Sequence, residues 1–172
     1  LLMLPGIAQH NHYILQAPGS SYSNLNTYLE VFKTSNADLS LKKIRKAPYQ
    51  ERFQPYDSVS DSFTPNGYYW GRIKLSNSLG QAFNGMLILG GKRDADFADI
   101  YIIDQRVSHK RAGYLVPASK KEVNETLGAK CLLTLKPGES KTLYLRIHNE
   151  TGFRPDFDLR LETAKTFNDK VQ

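Results

Sequence analysis

Tyr68-Tyr69-Trp70-Gly71-Arg72-Ile73-Lys74-Leu75, entered from the turn Pro65-Asn66-Gly67, is the stretch that decides the fold. It is rich in aromatic and aliphatic residues, carries the only tryptophan of the chain, and alternates with a period of two. In an extended strand Tyr69, Gly71, Ile73 and Leu75 share one face, and Trp70, Arg72 and Lys74 the other. Two later runs, Asp99-Ile100-Tyr101-Ile102 and Leu143-Tyr144-Leu145-Arg146-Ile147, repeat this mixture of aliphatic, aromatic and basic side chains. In the second, Leu143, Leu145 and Ile147 oppose Tyr144, Arg146 and His148. One set in each strand belongs in a core. The aromatic-cationic sets are left for a face able to hold a polar ligand.

Outward from this stretch, residues 68–76, 84–90, 97–104, 130–136, 142–149 and 156–163 read as short strands, with Phe157, Leu159 and Leu161 forming the apolar face of the last. Gly90-Gly91 and Pro137-Gly138 are the strongest turns, and the second predicts a hairpin between the strands on either side. Tyr28 to Phe32 reads as an earlier strand. Asp38 to Ile44 reads as one or two helical turns, with Asp38 or Ser40 as the cap and Leu41 and Ile44 on one side. Residues 48–66, punctuated by Pro48, Pro55 and Pro65, read as a long loop on the surface, and residues 105–129, punctuated by Gly113 and Pro117, as a second long connection. The class is all-β, an antiparallel sandwich or barrel with one short helix near the N-terminus.

The totals suit a single globular domain: 172 residues, 40% hydrophobic and 23% charged. A net charge of +6 could favour acidic partners, but the cations read as spread along the chain. No nucleic-acid reader motif is visible, so nucleic acid is not an expected partner. The lone Cys131 sits in a strand-like run and reads as a small buried hydrophobe. Residues 1–26 read as a signal-peptide remnant or loose lead-in, 27–163 as the folded domain and 164–172 as a linker. Leu1-Leu2-Met3-Leu4-Pro5-Gly6-Ile7-Ala8 resembles the end of a signal peptide's apolar region.

Catalytic and metal motifs are missing. His10, His12, His109 and His148 lack ligand spacing, and the acidic run Asp94, Asp96, Asp99, Asp104 lacks the glycine turn and terminal glutamate of a calcium loop. It reads as a solvated strand entry. No serine stands in a nucleophile elbow and no glycine-rich loop precedes a helix, so neither an enzyme nor a cofactor is expected. The aromatic-basic set is the stronger signal. Sugar rings stack on Trp or Tyr, and Arg hydrogen-bonds hydroxyls or forks onto a carboxylate.

The order of these features resembles the second type of extracellular domain of bacterial seven-transmembrane receptors with diverse intracellular signalling modules. The resemblance runs over residues 27–163. It is carried by Tyr28-Leu29-Glu30-Val31, Leu39-Ser40-Leu41 leading to Phe53 and Pro55, and Tyr69-Trp70-Gly71-Arg72-Ile73-Lys74-Leu75-Ser76-Asn77. Asp99-Ile100-Tyr101-Ile102, Gly113 with Pro117, Leu133-Thr134-Leu135-Lys136-Pro137-Gly138 and Leu143-Tyr144-Leu145-Arg146-Ile147 complete it. One departure is Lys120-Lys121, where the family tends to place an arginine able to make a bidentate contact.

The resemblance implies a jelly-roll sandwich similar to carbohydrate-binding domains, periplasmic or extracellular. It further implies a membrane segment downstream and an intracellular signalling module; a homodimer is a further candidate partner, and the sequence leaves the oligomeric state open. The expected ligand is a carbohydrate or another small polar molecule. Trp70, Arg72, Tyr101, Tyr144, Arg146 and His148 are the candidate contacts. Two alternatives remain at this point: a carbohydrate-binding module of a secreted enzyme, and a protein-interaction sandwich without a small ligand.

Overall fold

The computed structural model describes residues 11–90, 95–123 and 129–165. In chain order the strands are β1 (His12–Leu15), β2 (Ser21–Tyr22), β3 (Glu30–Thr34), β4 (Gln54–Pro55), β5 (Tyr68–Asn77) and β6 (Phe83–Leu89). They continue with β7 (Phe97–Ile103), β8 (Val107–Ala112), β9 (Ala129–Leu135), β10 (Ser140–His148) and β11 (Leu159–Thr163). Two single-turn helices, α1 (Leu41–Ile44) and α2 (Tyr56–Val59), lie between β3 and β5.

The strands make two sheets. The larger runs β4-β3-β5-β10-β7-β8, with β1 also against β5; the smaller runs β2-β11-β6-β9. All pairings are antiparallel except β1–β5, which is parallel. The fold is thus the β-sandwich expected from the strand pattern. β1 shares one edge of β5 with β3, β3 covering Tyr68 to Arg72 and β1 covering Lys74 to Asn77.

The inward set of β5, Tyr69, Ile73 and Leu75, is completely buried, and so are Leu143, Leu145 and Ile147 of β10. They meet Leu87 and Leu89 of β6, Leu133 and Leu135 of β9 and Leu159 and Leu161 of β11 in one core. Gly71 has a packing reason. A Cβ there would stand 3.0 Å from the Phe157 ring and 3.2 Å from Leu29, so the missing side chain makes room for both. Cys131 belongs to this core, as the sequence predicts. Burial pushes its thiol up to about 12.

The outer face of the larger sheet carries a second core. Phe32, Trp70 and Tyr144 project from it and are roofed by Leu39, Ile44 and Phe53. Leu41 and Ile44 stand three apart on α1, one half-buried and one fully buried, and this inward side anchors the short helix to the sheet. Ser40 occupies the N-cap position as predicted but makes no side-chain capping bond.

Four sequence expectations are corrected. Pro137-Gly138 joins β9 to β10, yet these strands lie in different sheets, so the turn crosses the sandwich and closes no hairpin. Turn chemistry specifies a chain reversal; it does not specify which strand the next segment pairs with. The 105–129 connection contains β8, whose polar edge sequence Ser108-His109-Lys110-Arg111 hides the strand signal. The 11–26 part of the expected lead-in supplies β1 and β2 and is integral to the sandwich. The 48–66 connection is no bare surface loop: Phe53 is buried in the second core and Phe63 in the first. Gly91 and the signal-like residues 1–8 lie outside the described residues.

Candidate functional site

Register sets the outer face of the larger sheet out as cross-strand rows. Thr34, Tyr68, His148 and Phe97 form the first, and Phe32, Trp70, Arg146, Asp99 and Arg111 the second. Glu30, Arg72, Tyr144, Tyr101 and His109 form the third. Directly opposed side chains on one face are close enough to interact, so each row is a unit of chemistry. All six sequence candidates fall in these rows. The structure divides them between two environments.

Trp70 and Tyr144 lie under the 36–53 segment. Trp70 is 0% exposed and presents no surface to a solute, and its indole N–H has no hydrogen-bond acceptor among the described residues. Tyr144 meets the Phe53 ring edge-on at 6.2 Å. Arg72 is committed to the same cover. Its Nε donates to Glu30 Oε2 at 2.5 Å, its Nη1 donates to the Gln50 carbonyl at 3.0 Å, and its guanidinium lies 4.4 Å from the centre of the Phe53 ring. These contacts pin the residues around Phe53 to the sheet.

Beyond the cover, the same face is open. A groove of about 220 Å³ is lined by Tyr68, Phe97 and His148, with Asp99, Arg111 and Arg146 alongside and Glu150 at its rim. The imidazole of His148 stacks on Tyr68 at 4.0 Å with only 4° between the planes, and lies 6.4 Å from the Phe97 ring. Its Nε2 stands 3.4 Å from Glu150 Oε1. Arg146 lies over the Tyr68 and Trp70 rings and donates through Nη2 to the Ala37 carbonyl, so it touches both groove and cover. Asp99 Oδ1 accepts from His109 Nε2 at 2.8 Å and stands 3.5 Å from Arg111 Nε.

Tyr101 stacks between Trp70 at 5.8 Å and His109 at 4.5 Å. Burial, with the negative charge of Asp99 beside it, raises its phenol above the ordinary tyrosine range. The hydroxyl is therefore a neutral donor throughout the physiological range.

The groove wall is held by a latch that sequence reasoning misread. Asp96 is buried, and its carboxylate accepts from the backbone N–H of Glu150 at 2.6 Å, the N–H of Thr151 at 2.8 Å and the Thr151 hydroxyl. In return Asp96 N–H donates to Asn149 Oδ1 at 2.9 Å. This fixes the turn bearing Glu150 against the entry to β7 and satisfies the buried carboxylate. A Cβ on Gly113 would meet the Asp96 carbonyl at 2.5 Å, and its φ of +120° also favours glycine. The acidic run is thus no uniform solvated entry: Asp96 is a buried latch and Asp99 a groove residue. Asp94 lies outside the described residues, among which no group of three metal-ligating side chains occurs.

Arg111, Phe97 and Glu150 were missing from the sequence reading. Recognising β8 as a strand, and continuing the alternation of β10 across its two neighbours, would have brought Arg111 and Phe97 into the rows. Two larger clefts lie elsewhere, one of about 350 Å³ beside β3 and α2 and one of about 460 Å³ beside α1. Neither is lined by a carboxylate among the described residues. Only the groove over the open rows, among these three, combines ring faces, guanidinium donors and carboxylate acceptors.

A family model described as 7TMR-DISM extracellular 2 matches residues 26–160. No curated protein matches the chain.

Proposed function

The chain belongs to the 7TMR-DISM extracellular 2 family, and on that premise we propose that the groove over Tyr68, Arg146 and His148 is the ligand site of a non-catalytic sensor. A domain of this family lies outside the membrane and is anchored through the seven-transmembrane receptor that carries it. The proposed ligand is a carbohydrate or a similarly polar small molecule. One observation carries the reading: stacked rings, two arginines and two carboxylates line one pre-formed concavity.

The chemistry suits a hydroxylated ring. Its C–H face would lie on the exposed aromatic surface, Arg111 and Arg146 would donate to ring hydroxyls or to a carboxylate, and Asp99 and Glu150 would accept. At about 220 Å³ the groove is smaller than the roughly 300 Å³ at which drug-sized pockets begin, which favours a ligand of one or two rings.

Signal transfer needs a ligand whose affinity differs between two arrangements of the domain. Arg146 supplies the element for this. Its guanidinium holds the Ala37 carbonyl of the cover while lining the groove, so a ligand that recruits the guanidinium competes with, or reinforces, the docking of the cover.

The test is a thermal-shift screen against neutral sugars, acidic sugars and small organic acids. A true ligand at a hundredfold excess over its dissociation constant stabilises the native domain by about 2.7 kcal/mol. A saturable shift that is lost in Arg111→Ala supports the reading. No saturable shift across the panel contradicts it, as does a shift that Arg111→Ala leaves unchanged.

A further inference from the structure

The sequence reading of cations spread along the chain fails at one place. Lys42-Lys43-Ile44-Arg45-Lys46 puts four cations in five residues, and the fold displays all of them. Ile44 turns inward and is fully buried, while Lys42, Lys43, Arg45 and Lys46 are exposed. The ion pairs among the described residues involve other cations, so these four have no carboxylate partner among those residues. On the neighbouring β7–β8 turn Asp104 is already engaged by the Arg106 N–H at 2.9 Å and by Lys141 Nζ at 3.8 Å.

Apolar surface sits inside this charge. The groove of about 460 Å³ beside α1 is lined by Leu41, Lys42, Arg45, Lys46 and Val107. Val107, the first residue of the edge strand β8, is 49% exposed, and Leu41 is half-buried beside it. Among the described residues the groove therefore offers an apolar floor, a cationic rim and no negative side chain. This is the inverse of the groove over His148, where both signs alternate. An inorganic anion would use the rim and gain nothing from the floor. An anionic headgroup attached to hydrocarbon uses both, and a domain of this family belongs to a membrane receptor.

We propose that the α1–Val107 patch is a lipid-docking surface that seats the domain on anionic phospholipid headgroups of its membrane. The three groove-lining cations meet phosphates, and Leu41 and Val107 enter the apolar boundary beneath them. The same 36–53 segment carries both α1 and the Ala37 carbonyl held by Arg146, so docking bears directly on the cover of the sheet.

Vesicle co-sedimentation of the purified domain tests this. Binding is expected on phosphatidylcholine vesicles containing phosphatidylglycerol, and not on phosphatidylcholine alone, and it should weaken as salt is raised. Each cation at an anionic surface contributes about fivefold, so losing three should lower binding on the order of a hundredfold, and the reversal K42E/R45E/K46E should lower it by at least that much. A control with the same change in net charge, K120E/K121E/K136E, should lower it far less, and Val107→Ser should lower it severalfold. Thermal unfolding checks that each variant is folded. If the triple reversal does not fold, the neutralised set Lys42→Gln, Arg45→Gln and Lys46→Gln takes its place. Binding to neutral vesicles, equal losses in both reversals, or no binding to anionic vesicles would overturn the proposal. So would competition by millimolar inorganic phosphate with Val107→Ser silent, which would indicate a small-anion site.

Discussion

The outer face of the larger sheet has two halves that look alike in sequence and differ in structure. Trp70, Arg72 and Tyr144 are aromatic-cationic residues on the solvent side of β5 and β10, and so are Tyr68, Arg146 and His148. Trp70 and Tyr144 are sealed by the 36–53 segment into a second core, with Arg72 pinned beside them; the second set is left open beside Phe97, Asp99 and Arg111. Strand alternation assigns a face. Only the remote chain that folds over part of that face decides whether an aromatic residue there stabilises the fold or meets a ligand.

The sharpest way to break this contrast is to empty the sealed half. Trp70→Ala leaves a cavity among Phe32, Ile44, Phe53 and Tyr144, and a loss of about 3–5 kcal/mol is expected. In a domain of this size that lowers the melting temperature by roughly 10 °C. A loss under about 1 kcal/mol, measured by urea unfolding, would mean that the cover is not packed as described.

Arg72→Ala comes next. Removing a charge that holds Glu30 and the Gln50 carbonyl should cost about 1.5–3 kcal/mol. Arg72→Lys should recover little, because a lysine cannot donate along two directions and lie on Phe53 at once. Full recovery by lysine would reduce the residue's role to simple charge.

In the open half the balance reverses. Arg111→Ala should change stability by no more than about 0.5 kcal/mol while weakening ligand binding about tenfold or more. A stability loss as large as that of Arg72→Ala would place Arg111 among the structural residues.

The effect that is negligible near neutral pH contrasts the outer face with the sandwich interior. Burial holds the Cys131 thiol up at about 12, above its ordinary value of 9.0. Its contribution to stability is whole below pH 9 and is lost as pH rises from there towards 12. The stability difference between the wild type and Cys131→Ala should therefore narrow over that range. In the native protein iodoacetamide should leave the thiol unmodified at pH 9, and it should alkylate it in urea. Prompt alkylation of the folded domain would show that the interior opens readily.

Much of this architecture was legible in the sequence. The central strands, the face that each residue takes and the short helix follow from period-two and i, i+3 spacing. What stayed hidden had physical causes. β8 is a polar edge strand, and β1 and β2 are too short to show a period. The crossing at Pro137-Gly138 depends on long-range pairing that local turn chemistry does not encode. At the site, Arg146 and His148 were rightly placed together on one face, since both sit on one strand. The enclosure of Trp70 was not legible, because it depends on Leu39, Ile44 and Phe53 arriving from another segment.

The division of the outer face is tested most directly by an amide and indole NMR titration with the ligand from the thermal screen. The chain has a single tryptophan, so its indole N–H gives one unambiguous signal for the sealed half. The account predicts that the amides of Tyr68, Phe97 and His148 shift on binding while the indole proton stays protected from solvent exchange. An indole proton that exchanges freely, or shifts confined to residues away from the groove, would contradict it.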